Sequence, residues 1–153
     1  MGVINQSDMS LEVLATQLDN AGWNLKSDTE MLTLHTENGI GFTIDLDEEK
    51  CFVLFRTCLP VRNDFLASID YCNDLNFSKF MGKFAIDADN DLRVSYAMPY
   101  EKSLLIAQFS RIALRFASLL EHVVSQDKDN LIFDFDKPHQ QKIDFPTPTT
   151  VLQ

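Results

Sequence analysis

Glycine is scarce in this chain, with five among 153 residues. Loops that cradle phosphates need glycine so that backbone amides can close on the ligand. The sequence has no phosphate loop, no dinucleotide glycine fingerprint and no Gly-x-Ser-x-Gly elbow. Basic charge is also short: 13 Lys and Arg stand against 23 Asp and Glu, for a net charge of −10 and a pI near 4.5. Nucleic-acid binding is driven by cationic contacts to phosphates, so a chain without a basic surplus or cluster is read as binding neither DNA nor RNA. No apolar run approaches the roughly 20 residues that cross a bilayer. The start, Met1-Gly2-Val3-Ile4-Asn5-Gln6, lacks the basic and apolar regions of a secretory signal, and Gln6 stands where myristoylation wants Ser or Thr. These absences point to a cytoplasmic chain with no membrane partner. Three cysteines, Cys51, Cys58 and Cys72, form an odd set without CxxC spacing. That excludes a paired zinc site or disulfide framework and leaves reduced, buried side chains.

What is present is apolar bulk. Hydrophobic residues make up 45% of the chain, and twelve Phe against one Trp supply large rings for a core. Residues 1 to 8 read as a loose lead-in. Ser10 is placed to cap a helix with Leu11, Leu14, Ala15 and Leu18 on one face, and Asn20 and Gly22 end it. Trp23 follows, at the edge of the core. Met31 to Thr36 and Ile40 to Leu46 read as strands joined by Asn38-Gly39, the strongest short hairpin signal. Cys51 to Cys58 is apolar on both faces, with Val53 and Phe55 opposite Phe52 and Leu54. This suggests a strand covered by a helix on one side and by a second subunit on the other. Pro60 ends that strand. Asn63 or Asp64 is expected to cap a helix whose stripe is Phe65, Leu66, Ile69, Cys72 and Leu75. Phe80 to Asp87 and Leu92 to Met98 alternate as a further hairpin, and Pro99 breaks it. A helix from about Ser103 to Ser125 repeats Leu105, Phe109, Ile112, Phe116, Leu119 and Val123 at steps of four and three. The run covers fewer than four heptads without regular Glu/Lys flanks, so packing lengthwise on the chain's own sheet is favoured over a coiled coil. Beyond Gln126, Leu131 to Phe135 reads as an edge strand or docking segment. Pro138, Pro146 and Pro148 with Thr147 to Thr150 read as an extended tail.

Chemistry is harder to find. Asp87, Asp89 and Asp91 have the alternate spacing of a calcium loop, but Leu92 replaces the required glycine and Met98 stands where the bidentate Glu belongs. A solvated hairpin turn fits better. Asp45, Asp47, Glu48 and Glu49 cluster at another expected hairpin tip, not in a cleft that would drive their pKa values apart. His35, His122 and His139 are far apart and lack partners at ligand spacing. No catalytic residue, cofactor site or metal site emerges, and an enzyme is not expected.

The element order α-β-β-β-α-β-β-α resembles the class I chaperones of type III secretion. In residues, the chain is closer to the YbjN family of bacterial sensory transduction regulators. The segments that carry the likeness are Asn73-Asp74-Leu75-Asn76, Gly82-Lys83-Phe84, Asp87 to Leu92 and Phe109 through Leu120, within about residues 8 to 125. Members typically carry an aromatic-Asn pair at the helix end; here Asn73 and Asn76 stand near that point without a Trp. The resemblance implies an α+β fold: an antiparallel sheet of about five strands with helices packed on it. It places one domain over 1–126 and an extension, partly extended or flexible, over 127–153. It also implies a non-catalytic protein-binding module, a homodimer that binds a protein client or regulator. By analogy with secretion chaperones, self-association falls to Phe65, Leu66, Ile69 and Cys72, with Val53 and Phe55 of the doubly apolar strand as the second expected contact. Two alternatives stay open. One is a dedicated type III secretion chaperone for an effector. The other is a small-molecule sensor with a pocket between the long helix and the sheet.

Overall fold

The computed structural model describes residues 2–137. The expected proline-rich tail and His139 lie outside the described residues. The elements run β1 (Val3–Asn5), α1 (Leu11–Asn20), β2 (Leu25–Ser27), β3 (Leu32–His35), β4 (Gly41–Asp47), β5 (Phe52–Leu59), α2 (Ser68–Ser78), β6 (Lys83–Ile86), β7 (Leu92–Pro99), β8 (Ser103–Leu105) and α3 (Ile106–Ser125). Strands β2-β3-β4-β5-β7-β6 form an antiparallel sheet in that order, and β1 pairs with β8 in a separate ribbon. The α+β class and the expected element order hold. The sheet gains its sixth strand from β2, which pairs Leu25 with Leu34.

The inner face of the sheet follows from period-two alternation. Val53, Phe55, Thr57 and Leu59 of β5 are buried, and so are Leu92, Val94 and Met98 of β7 and Phe42 and Ile44 of β4. Onto this face α3 lowers Phe109, Ala113, Phe116, Leu120 and Val123, each fully buried. The ring of Phe116 lies 5.5 Å from Phe42 and 5.7 Å from Phe55. The long helix therefore packs on its own sheet. Its buried stripe is rotated from the expected seam: Ile112 and Leu119 are half-buried, and Leu105 is exposed in β8.

Ser10 caps α1 as expected, its Oγ accepting the Val13 amide at 3.1 Å. Trp23 closes the sheet edge, its ring edge-on to Phe42 at 5.9 Å. Several expectations are corrected. The lead-in is not loose, because Val3–Asn5 pairs residue by residue with Leu105–Ser103. That pairing also delays α3 to Ile106. The second helix starts at Ser68 rather than after Asn63 or Asp64, because the Asp64 carboxylate bonds the Arg62 guanidinium instead of capping. Phe80 lies outside β6 and is fully exposed. Gly82 then turns the chain at φ +94°, a left-handed conformation that favours glycine, and an added Cβ would come 2.8 Å from Leu119 Cδ2, which would have to shift.

After α3 the chain folds back on the body. The Asp127 carboxylate accepts the amides of Leu131, Ile132 and Phe133 at 2.8, 3.1 and 2.9 Å. Phe133 then bridges to Val61 beyond the end of β5. Residues 127–137 are thus docked on the body.

Candidate functional site

The residues expected at a self-association surface separate sharply. Val53 and Phe55 have no exposed surface. Phe55 is stacked among Phe109, Phe116 and Tyr96. Their apolarity is explained by α3: both are core residues of this chain, with no surface left for a second one to touch in the described fold. The opposite register of the same strand, Phe52 and Leu54, is half-buried. Cys72 is 6% exposed and faces inward, and Phe65 is half-buried, edge-on to Tyr71 at 5.9 Å. Leu66 and Ile69, in contrast, are 92% and 68% exposed. The expected buried stripe of α2 therefore holds only for Cys72 and Leu75.

Phe77 and Phe80, which the sequence reading left out of the surface, join them at 91% and 103% exposure. Ile69 and Phe77 are eight residues apart on α2, which at 3.6 residues per turn puts them on the same half of the helix. Leu66 and Phe80 flank its two ends. An apolar surface of this kind is what a partner covers in a protein–protein contact.

The same helix closes the sheet edge. The Asn76 side chain takes the place of a neighbouring strand: its Oδ1 accepts the Phe84 amide at 2.9 Å and its Nδ2 donates to the Phe84 carbonyl at 2.8 Å. An unpaired edge is a template for another chain, and Asn76 removes that opportunity at the middle of β6. The Asn73-Asp74-Leu75-Asn76 signature thus has a physical role: Leu75 faces the core and Asn76 ties α2 to the sheet.

Groups with possible chemistry are mostly held in ion pairs. In the β6–β7 turn, Asp87 Oδ1 accepts the amides of Asp89 and Asp91 at 2.9 and 3.0 Å, as a hairpin turn would. Cys58, Asp87 and Asp91 bring ligand atoms within 4.8 Å of one another. Arg93 Nε lies 3.0 Å from Asp87 and Lys137 Nζ 3.1 Å from Asp91, so both carboxylates are already neutralised. Burial, with the Asp87 and Asp91 charges, pushes the Cys58 thiol up to about 12 despite the Arg93 charge. It is protonated at neutral pH and is therefore not an activated nucleophile. Asp45 is not at a solvated hairpin tip: it lies in β4, paired with Arg56, and burial raises its pKa against the pull of that cation.

A cleft of about 530 Å³ opens between the end of α1, the β3–β4 turn and α3, lined by Gly22, Trp23, Thr36, Leu114, Ser118 and Glu121 among others. Its Glu121 carboxylate is engaged by the Thr36 hydroxyl and by the side-chain and backbone amides of Asn38. Burial acts to raise the Glu121 pKa, but these hydrogen bonds outweigh it and leave the group below its ordinary value. No described helix is long and apolar enough to cross a membrane.

Among solved structures, the fold is similar to that of YbjN from E. coli, described as a "putative transcription regulator". The TM-score is 0.69 at 19% identity, over 82% of this chain and 96% of that one. It is also similar to a chain of the HopA1–SchA chaperone–effector complex, with a TM-score of 0.50 at 15% identity, over 70% of this chain and 88% of that one. No curated protein matches. The model of a family described as "Putative bacterial sensory transduction regulator" matches residues 10–126, more than half of the sequence, and the chain belongs to that family, YbjN.

Proposed function

We propose that the protein is a non-catalytic, cytoplasmic protein-binding module, a homodimeric regulator or chaperone-like protein whose α2 surface meets its partner. One observation carries the reading: Leu66, Ile69, Phe77 and Phe80 are exposed on or beside a single helix, while α3 turns Phe109, Phe116, Leu120 and Val123 into the core and leaves Leu114 as its one exposed large apolar side chain. Burying such groups is favourable at about 25 cal/mol per Å². Self-association through α2 would remove them from water. The half-buried Phe52 and Leu54 on the outer sheet face are a second apolar surface for a partner. The Asn76 clamp disfavours strand addition at β6 and leaves side-chain packing as the mode of contact.

Sedimentation equilibrium tests this directly. A dimer at micromolar concentration that dissociates on Phe77→Asp is the expected result; a parental protein that is monomeric there overturns the homodimer.

A dedicated secretion chaperone has one observation in its favour, the fold it shares with a chain of a chaperone–effector complex. It would carry an effector segment on its apolar surfaces, detectable by co-purification of that effector. A small-molecule sensor is supported by the cleft beside α3, whose volume falls within the usual range of about 300–1,000 Å³ for ligand sites. Of its two carboxylates, Glu121 already serves Thr36 and Asn38, so a ligand would have to bind through Glu37, Trp23 and Leu114. A compound that raises the melting temperature would support it.

A further inference from the structure

Residues 131–137 lie on the body as a bound peptide would. The Arg62 amide donates to the Ile132 carbonyl at 2.7 Å, and the Asp134 amide donates to the Pro60 carbonyl at 2.9 Å. These are the main-chain bonds of an added strand. Between them the Phe133 ring is 4% exposed, packed edge-on to Tyr71 at 6.1 Å. Four residues on, Lys137 turns its ammonium into the body, where it is 6% exposed. It donates to the Val61 carbonyl at 2.6 Å and to Asp91 Oδ1 at 3.1 Å. Asp91 is 1% exposed, and the same oxygen accepts the Val61 amide at 2.9 Å.

Peptide sites that work by strand addition divide their work in this way: main-chain bonds give affinity, and pockets for selected side chains give specificity. A buried ion pair is a poor way to gain stability alone, since desolvation of both charges offsets most of their attraction. It discriminates well, because a segment lacking the ammonium forfeits its bonds to Asp91 Oδ1 and to the Val61 carbonyl at a site closed to water. The boundary of the family match divides the contact in the same place. The seat, formed by Pro60, Val61, Arg62, Tyr71 and Asp91, lies within residues 10–126, and its occupant lies beyond them. A carboxylate buried inside the family domain is thus neutralised by a group from outside it.

We infer that this seat is a peptide-recognition site that holds residues 131–137 in cis. From another chain it takes an extended segment with an aromatic side chain and, four residues later, a lysine. The inference rests on the reading of the chain as a protein-binding module, but not on the α2 surface.

The test keeps the full chain. A specific protease sequence is inserted between the exposed Lys128 and Asp129, the folded protein is cut there, and a fluorescent peptide of residues 127–137 is added. The expected result is that the cut piece stays bound through gel filtration and exchanges with the labelled peptide. Competitor peptides with Lys137→Ala or Phe133→Ala should bind at least about tenfold more weakly, a difference near 1.4 kcal/mol. An Asp91→Asn body should no longer distinguish the lysine peptide from its alanine form. Equal competition by the three peptides, or failure of the labelled peptide to enter the cut protein, overturns the proposal. The peptide comparison stands on the parental body, so it survives if the Asp91 variant does not fold. Phe77→Asp separates the two readings: it should abolish the dimer and leave peptide exchange unchanged.

Discussion

Two helices adjoin the same sheet and are used in opposite ways. Along α3 the residues at Phe109, Phe116 and Val123, with Ala113 and Leu120 between them, lie in the core, and the exposed side carries Arg111, Arg115, Ser118 and His122 around a single exposed leucine, Leu114. Along α2 only Ser68, Cys72 and Leu75 are buried, while Ile69 and Phe77 face water. A helix gains most of its stability from the face it buries. By that measure α3 holds the fold together, and α2 holds itself on the sheet edge by Leu75, Cys72 and one asparagine. What α2 retains is exposed apolar surface, at Ile69 and Phe77.

The contrast makes its largest prediction at α3. Phe116→Ala removes a ring that bridges Phe42 and Phe55 and should cost about 3–5 kcal/mol in urea unfolding, as large-to-small changes in tight cores do. A loss under 1 kcal/mol would mean that the helix is not the core element. Next is Asp91→Ala, which strands the Lys137 ammonium against the Val61 carbonyl. Removing one member of a buried pair costs about 3–5 kcal/mol; here the lower end is expected, because the segment that carries Lys137 can lift away. Hydrogen exchange should show residues 131–137 losing protection first. At α2 itself, Asn76→Ala removes two side-chain bonds to Phe84 and should cost about 2 kcal/mol at about 1 kcal/mol each. If Asn76→Ala equals Phe116→Ala, the division between the two helices fails.

A smaller effect belongs to Glu121, the tie between α3 and the β3–β4 turn. Its folded pKa lies below its unfolded value, so its contribution is present above the unfolded value near 4.5 and is lost as the pH falls through the folded one. Glu121→Gln should therefore flatten the acid limb of the stability curve and leave the neutral and alkaline limbs nearly unchanged. An identical acid limb in both proteins would show that the carboxylate contributes nothing there.

The same contrast explains what could be read in advance. The period of α3 was plain because one face is apolar for five turns, and the Asn38-Gly39 hairpin because its turn is local. The stripe of α2 was misread because Leu66 and Ile69 have core chemistry and core spacing, and only the exposed outcome distinguishes them from Cys72 and Leu75. The cover of Val53 and Phe55 is hidden for the converse reason, since a doubly apolar strand does not say which cover belongs to which face. The ribbon of Val3–Asn5 with Ser103–Leu105 and the strand Leu25–Ser27 are three residues each, too short for alternation to register. The Asp91–Lys137 pair joins residues 46 apart, and charges in a polar turn and a polar tail read as solvated until tertiary structure brings them together.

Phe77→Asp makes the smallest change to the folded protomer and tests its use most directly. The side chain is 91% exposed, so the native state loses almost no burial and the unfolding free energy should move by less than about 0.5 kcal/mol. The charge would matter only if another chain covers that position. An aspartate buried there without a cation would oppose association by far more than the ring contributed to it. The expected outcome is an unchanged melting curve, measured at a concentration where the parental protein is dissociated, together with a sedimentation midpoint shifted out of the micromolar range. Ile69→Asp, on the same half of the helix, should reproduce it, whereas Leu114→Asp on the outer side of α3 should not. If the α3 variant dissociates the protein and the α2 variants do not, the functional surface belongs to the helix assigned here to the core.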